Sequence, residues 1–226
     1  MPRFPRRAIP LLAAVLAGAS LLGACSASAS PPNPSTACNG ADEQSAAGFY
    51  PDLEAMLPVH VGGQSLTSVR SGRYCSAQTL GSLTKVGIHE LQFAGGALPD
   101  PTNKGAGMAL VVYRASGMTL DELADAQANG AGNTQGAAGV MAQQTSIAGH
   151  AGIRIDVTVQ SGPEMMFFWP TTRPGTFDAV TGIGASETQI RTSVAAFGTA
   201  PAAGAPGGAS APSSSPGSTP GAAPSR

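Results

Sequence analysis

Apolar positions recur along the middle of the chain with two spacings. The clearest alternation runs from Gly152 to Val159, where Ile153, Ile155, Val157 and Val159 face one way and Arg154, Asp156 and Thr158 the other. A strand with one wet face belongs to an antiparallel sheet. A tight Gly-His-Ala-Gly turn at Gly149 to Gly152 predicts a hairpin between this strand and a preceding one over 145–149. Met108 to Arg114 is a strand bounded by glycines, and 65–70 is a further strand. Ile88 to Phe93 alternates, with His89, Leu91 and Phe93 on one face and Ile88, Glu90 and Gln92 on the other. Strands over 165–169 and 176–181 complete the set, separated by Pro170 and by Pro174 and Gly175.

Four segments carry helical spacing instead. Pro51 to Leu57 has proline in its first turn and is stopped by Pro58. Ser76 to Val86 has a capping serine, with Leu80, Leu83 and Val86 three residues apart. Thr119 to Asn129 opens on a capping threonine with acids in its first turn and ends at Gly130, ahead of a loop over 130–139. Ser186 to Gln189 is a capping box, followed by a stripe of Ile190, Val194 and Phe197. The order helix, strand, helix, two strands, helix, four strands, helix predicts an α+β fold. Its sheet is mainly antiparallel, with helices packed on one face.

Composition limits where that fold can lie. Glycine (30) and proline (19) are enriched in the 226 residues, and only 11% are charged, so part of the chain reads as linker. Residues 25–37 contain Ser26 to Thr36, a flexible tether with no apolar side chain beyond Ala or Pro. In residues 199–226, 27 of 28 are Ala, Pro, Gly, Ser or Thr, a disordered tail by composition that suits O-glycosylation, passage through wall polymer, or neither. Residues 38–198 remain as a single domain. Twelve basic against 13 acidic residues argue against a nucleic-acid partner, which would demand clustered Lys and Arg.

Residues 1–24 read as a signal peptide. Arg3, Arg6 and Arg7 precede an apolar run from Ala8 to Leu22 that leads into polar linker rather than a stop-transfer cluster. Leu22-Gly23-Ala24-Cys25 resembles the cleavage box of bacterial lipoproteins. That resemblance implies diacylglycerol on the Cys25 thiol, palmitate-type acyl chains, and an extracytoplasmic protein held to a cell membrane. The alternative is an ordinary signal peptide cut elsewhere, with Cys25 as a chance thiol. Two or three acyl chains give stable anchoring, at ~0.8 kcal/mol per buried CH₂. Removal of residues 1–24 leaves nine basic and 13 acidic side chains, a net charge of −4. The layout from about residue 50 to 198 also resembles exported lipoproteins of high-GC bacteria, through Leu57 to Gly63 and the turn before the strand at 152; that resemblance brings no activity.

With Cys25 assigned to lipid, Cys38 and Cys75 are expected to form a disulfide in an exported chain, worth ~2–4 kcal/mol. A catalytic cysteine is the sharper alternative, but no Cys-x-x-Cys motif accompanies either residue. Ser82 and Lys85 match Ser-x-x-Lys without the partner motifs of penicillin-recognising enzymes, so Ser82 reads as a solvent-facing helix residue. No Gly-x-Ser-x-Gly elbow follows the signal. His60, His89 and His150 are isolated: His150 reads as a turn residue, His89 as half-buried in a strand, and no metal or other cofactor is expected. Gly182, Gly184 and Ser186 form a partial glycine-rich turn before a helix, read as a connection rather than an anion site. Met165-Met-Phe-Phe-Trp169 does not alternate. Either a helix covers its second face, or Met165, Phe167 and Trp169 line an apolar ligand groove.

The expectation is therefore a lipid-anchored, extracytoplasmic, non-catalytic domain that binds a partner protein or an apolar envelope ligand. The alternative is an envelope hydrolase whose site linear motifs do not display.

Overall fold

A computed structural model describes residues 33–38, 43–100, 106–134 and 136–198. Residues 1–24, expected to be a signal peptide, Cys25, and residues 199–226, expected to be a tail, lie outside the described residues. In chain order the elements are β1 (Ser45–Ala46), α1 (Pro51–Glu54), β2 (His60–Val61), β3 (Gln64–Ser65), β4 (Thr67–Tyr74), α2 (Ala77–Leu80), a 3₁₀ turn (Gly81–Val86), β5 (Leu91–Pro99) and β6 (Gly107–Arg114). There follow α3 (Leu120–Gly132), β7 (Ala138–Ile147), β8 (His150–Val159), β9 (Gly162–Pro170), β10 (Thr176–Ile183) and α4 (Glu187–Phe197).

Among the described residues, eight strands form one sheet in the order β1-β4-β5-β6-β10-β9-β8-β7, with every neighbouring pair antiparallel. It consists of two meanders, β4-β5-β6 and β7-β8-β9-β10, joined where β6 pairs with β10. The expected mainly antiparallel α+β fold is present. Helices on one face only is corrected, because the sheet is covered on both. On one side α1, the β2–β3 hairpin and α4 enclose Leu110, Val112, Phe167, Trp169, Val180, Val194 and Phe197. On the other, α3 and the 3₁₀ turn enclose Tyr113, Ile153, Ile155, Met166, Phe168, Phe177 and Leu123. The physical reason lies in β9: Phe167, Phe168 and Trp169 are all at most 1% exposed, and consecutive strand residues point to opposite faces. One layer of helices could not have buried them all.

The helix termini follow the local chemistry. Thr119 accepts from the Glu122 amide while Glu122 accepts from the Thr119 amide, and Ser186 and Gln189 do the same for α4. The amphipathic segment 76–86 is not one helix. Gly81 takes φ 57°, ψ −124°, ending α2 after four residues and restarting the chain as a 3₁₀ turn. The start of α2 is capped twice over. Ser76 Oγ accepts from the Thr79 amide, and Glu43 Oε1 accepts from the Cys75 and Ser76 amides at 2.9 and 2.7 Å. Burial raises the Glu43 pKa, but hydrogen bonds from Thr79, Ser76 and Cys75 outweigh it and leave the pKa lowered.

Cys38 and Cys75 form the expected disulfide, with Cα atoms 5.4 Å apart. Strand β5 begins at Leu91, so His89 is exposed ahead of it rather than half-buried within it. The β7–β8 turn is also shorter than its sequence suggests. Ile147 pairs with His150, leaving Ala148 (φ 51°) and Gly149 (φ 88°) as a two-residue type I′ turn. His150 is consequently the first residue of β8, its ring 5.4 Å from that of Trp169.

Candidate functional site

The aromatic run is enclosed. Phe167 stacks on Trp169 at 5.2 Å between centroids, and Phe197 of α4 meets Trp169 edge-on at 5.2 Å. Gly152 makes room for this packing: a Cβ there would lie 2.1 Å from the Phe168 carbonyl oxygen and 3.0 Å from the Trp169 Cβ. Phe167 and Trp169 offer no open surface to a ligand, and Met165 is partly buried against the same cluster. Of the two readings of this run, burial under a helix describes its surroundings.

An open cleft of about 560 Å³ lies elsewhere, where the entry to β5 and the end of β6 meet the 171–175 turn; His89, Glu90, Gln92, Arg114, Ser116 and Pro174 line it. Its polar wall is built by register. Arg73 of β4 pairs with Gln92 of β5, and Gln92 with Arg114 of β6, so three polar side chains stand in one row. Arg114 Nε donates to Gln92 Oε1 at 2.7 Å, and Gln92 Nε2 donates to Glu90 Oε1 at 2.9 Å. Glu90 Oε1 also accepts from the Tyr50 hydroxyl at 3.2 Å, and Arg73 Nη1 lies 3.9 Å away. Arg114 makes an ion pair with Asp52 of α1 and lies 5.8 Å from the Tyr50 ring centroid. Burial, reinforced by Glu90, pushes the Tyr50 pKa up to about 12, so its hydroxyl remains a donor.

Arg73 is 2% exposed and anchors the wall from behind. It donates to the Thr36 carbonyl and hydroxyl oxygens, both at 2.8 Å, and lies 5.9 Å from the Phe49 ring. The cleft thus presents fixed donors and acceptors of both signs, which suits hydrogen bonding to a polar ligand.

Groups for covalent chemistry are not gathered there. His89 and Ser116 both line the cleft, and among the described residues no hydrogen bond joins them. Ser65 Oγ and His60 Nδ1 do meet, at 3.1 Å, on the exposed β2–β3 hairpin, where cross-strand pairing sets them opposite each other. No carboxylate orients that imidazole among the described residues, so the third member of a nucleophilic triad is missing. Ser82 and Lys85 lie in the 3₁₀ turn without a mutual hydrogen bond among the described residues. No group of three His, Cys, Asp or Glu side chains able to hold a metal occurs among the described residues. At the start of α4, the Ser186 amide donates to Gln189 Oε1 and the Gly184 amide to the Pro163 carbonyl oxygen. The glycine-rich turn is therefore a strand-to-helix connection in which the Gly184 and Ser186 amides already have partners.

Sequence reasoning missed the row Arg73, Gln92, Arg114. Its signal was the shared face of Glu90 and Gln92 together with the arginines that sit late in two strands; the missing information was register. It also missed Asp178, a carboxylate on β10 between Val112 and Trp169, 8% exposed, with Oδ1 lacking a hydrogen-bond partner. Burial pushes its pKa up to about 7. No described helix is long and apolar enough to cross a membrane. Set against protein-family models, curated proteins and solved structures, the chain matches none of them.

Proposed function

We propose that this protein is a lipid-anchored, extracytoplasmic binding domain, tethered to a cell membrane through acylated Cys25, that receives a polar envelope ligand or a polar segment of a partner protein. The observation that carries the reading is the cleft with its hydrogen-bonded wall of Glu90, Gln92 and Arg114. The Cys38–Cys75 disulfide is compatible with an oxidising compartment. The resemblance of Leu22 to Cys25 to the cleavage box of bacterial lipoproteins supports the anchor. An apolar ligand on the sheet loses its support, since the residues named for it lie beneath α4. The runner-up, an envelope hydrolase, rests on the Ser65–His60 contact.

Native mass spectrometry of the lipoprotein, released from its envelope in mild detergent, tests this. The expected spectrum shows added mass beyond the Cys25 acyl group. Gln92→Ala should diminish that mass while lowering the unfolding free energy by no more than about 1 kcal/mol, as for a partly exposed hydrogen bond. A chain bearing the acyl mass alone would count against binding, and an unmodified Cys25 against the anchor.

A further inference from the structure

We infer that the β7 edge is a pairing surface for a second copy of this chain, continuing the sheet across a two-fold axis at Gln144. The two edges of the sheet differ sharply. One ends in β1, which is two residues long; the other ends in β7, ten residues that have, among the described residues, a sheet neighbour on one side only. Exposed edges of such length are normally blunted by charge, proline or brevity. Strand β7, AGVMAQQTSI, contains neither a charge nor a proline. Its one irregularity is a register shift between Ala138 and Met141, beside Gly139 at φ 65°. That leaves Met141 to Ile147 as a regular seven-residue edge.

The hairpin fixes which backbone groups face outward. In a two-residue turn the closing pair, here Ile147 and His150, is hydrogen-bonded, and bonded and non-bonded pairs then alternate along the ladder. The amides and carbonyls of residues 143, 145 and 147 therefore point at β8, and those of Ala142, Gln144 and Ser146 point outward. Seven residues centred on Gln144 are self-complementary in an antiparallel pairing. Ala142 meets the second copy's Ser146 and Gln144 meets itself, giving roughly six new backbone hydrogen bonds. Met141, 65% exposed, then lies beside the second copy's Ile147.

The occupant follows from what the edge lacks. Identical strands brought face to face repel if they carry charge directly opposite like charge; this edge carries none. A strand drawn from residues 199–226 would meet a proline within every six positions from 201 to 224, and proline cannot donate to a ladder. Every neighbouring pair in the sheet is already antiparallel, the arrangement that a two-fold axis generates.

Sedimentation velocity of the full chain, in detergent with micelles in large excess over protein, tests the pairing. A concentration-dependent dimer is expected, with the amides of Ala142, Gln144 and Ser146 gaining exchange protection as it forms. Gln144→Pro removes only an outward-facing amide, and Gln144→Lys places like charges opposite each other. Both should give monomers that unfold with the same midpoint as the parent monomer. A chain monomeric at all accessible concentrations overturns the inference, even if it captures an extended peptide from another protein. So does a dimer that persists in both variants.

Discussion

Asp178 is the residue at which the core departs furthest from expectation. A carboxylate with an unpartnered oxygen lies between Val112 and Trp169, where burial favours its neutral form. Its folded pKa of about 7 stands above the ordinary carboxylate value of 3.8, so between those values the native state binds a proton that the unfolded chain has released. Its contribution is fully present below pH ~4, is lost as pH rises toward 7, and is constant above that. Asp178→Asn, which imitates the protonated form, should be more stable than the parent at pH 8 by up to about 4 kcal/mol, the full shift at 1.36 kcal/mol per pH unit. At pH 4 the two should be equal. Urea midpoints at both pH values check this, and a parent protein that gains stability between pH 5 and 7 while the variant does not would contradict the assignment.

At the scale of elements, Gly81 shows how a single backbone conformation overrides a helical pattern. Leu80, Leu83 and Val86 have the spacing of one amphipathic helix, yet Gly81 breaks the segment so that Leu80 and Leu83 are buried while Val86 is 50% exposed. A Cβ at Gly81 would meet nothing within 4 Å, so the cost of Gly81→Ala is conformational alone, at about 1 to 3 kcal/mol. Thermal unfolding measures it, and an unchanged midpoint would mean that the segment accepts a continuous helix. The same lesson covers what could be read from the sequence. The capping threonine at 119 with its first-turn acids, the capping box at Ser186 and the alternation over 153–159 are local signals, and they marked α3, α4 and β8 to within a few residues. The row Arg73, Gln92, Arg114 was not legible because its members lie in three strands and meet only through register. Neither was the second layer of helices, since an apolar run such as 165–169 states that both faces are dry without stating what dries them.

For the molecule as a whole, the two cores are joined through shared strands. Trp169 points into the cluster under α4 and Phe168 into the cluster under α3, one residue apart on β9. Trp169→Ala and Phe168→Ala should each cost about 3–5 kcal/mol. Both should lower one common transition, seen coincidentally by circular dichroism and by chemical-shift loss on either side of the sheet. Two resolved transitions would show that the layers unfold separately.

The ladder between β6 and β10 also imposes an order in time. Each meander is assembled from strands adjacent in the chain, whereas Arg114 must wait for Thr176 and Gly107 for Ile183. Such long-range closures are slow because the intervening loop must lose its entropy before any contact rewards it. As the chain emerges from its N-terminus, Met108 to Arg114, one of its most apolar strands, has one side open until the last strand arrives. During that interval the vulnerable edge is the future centre of the sheet, not its finished border.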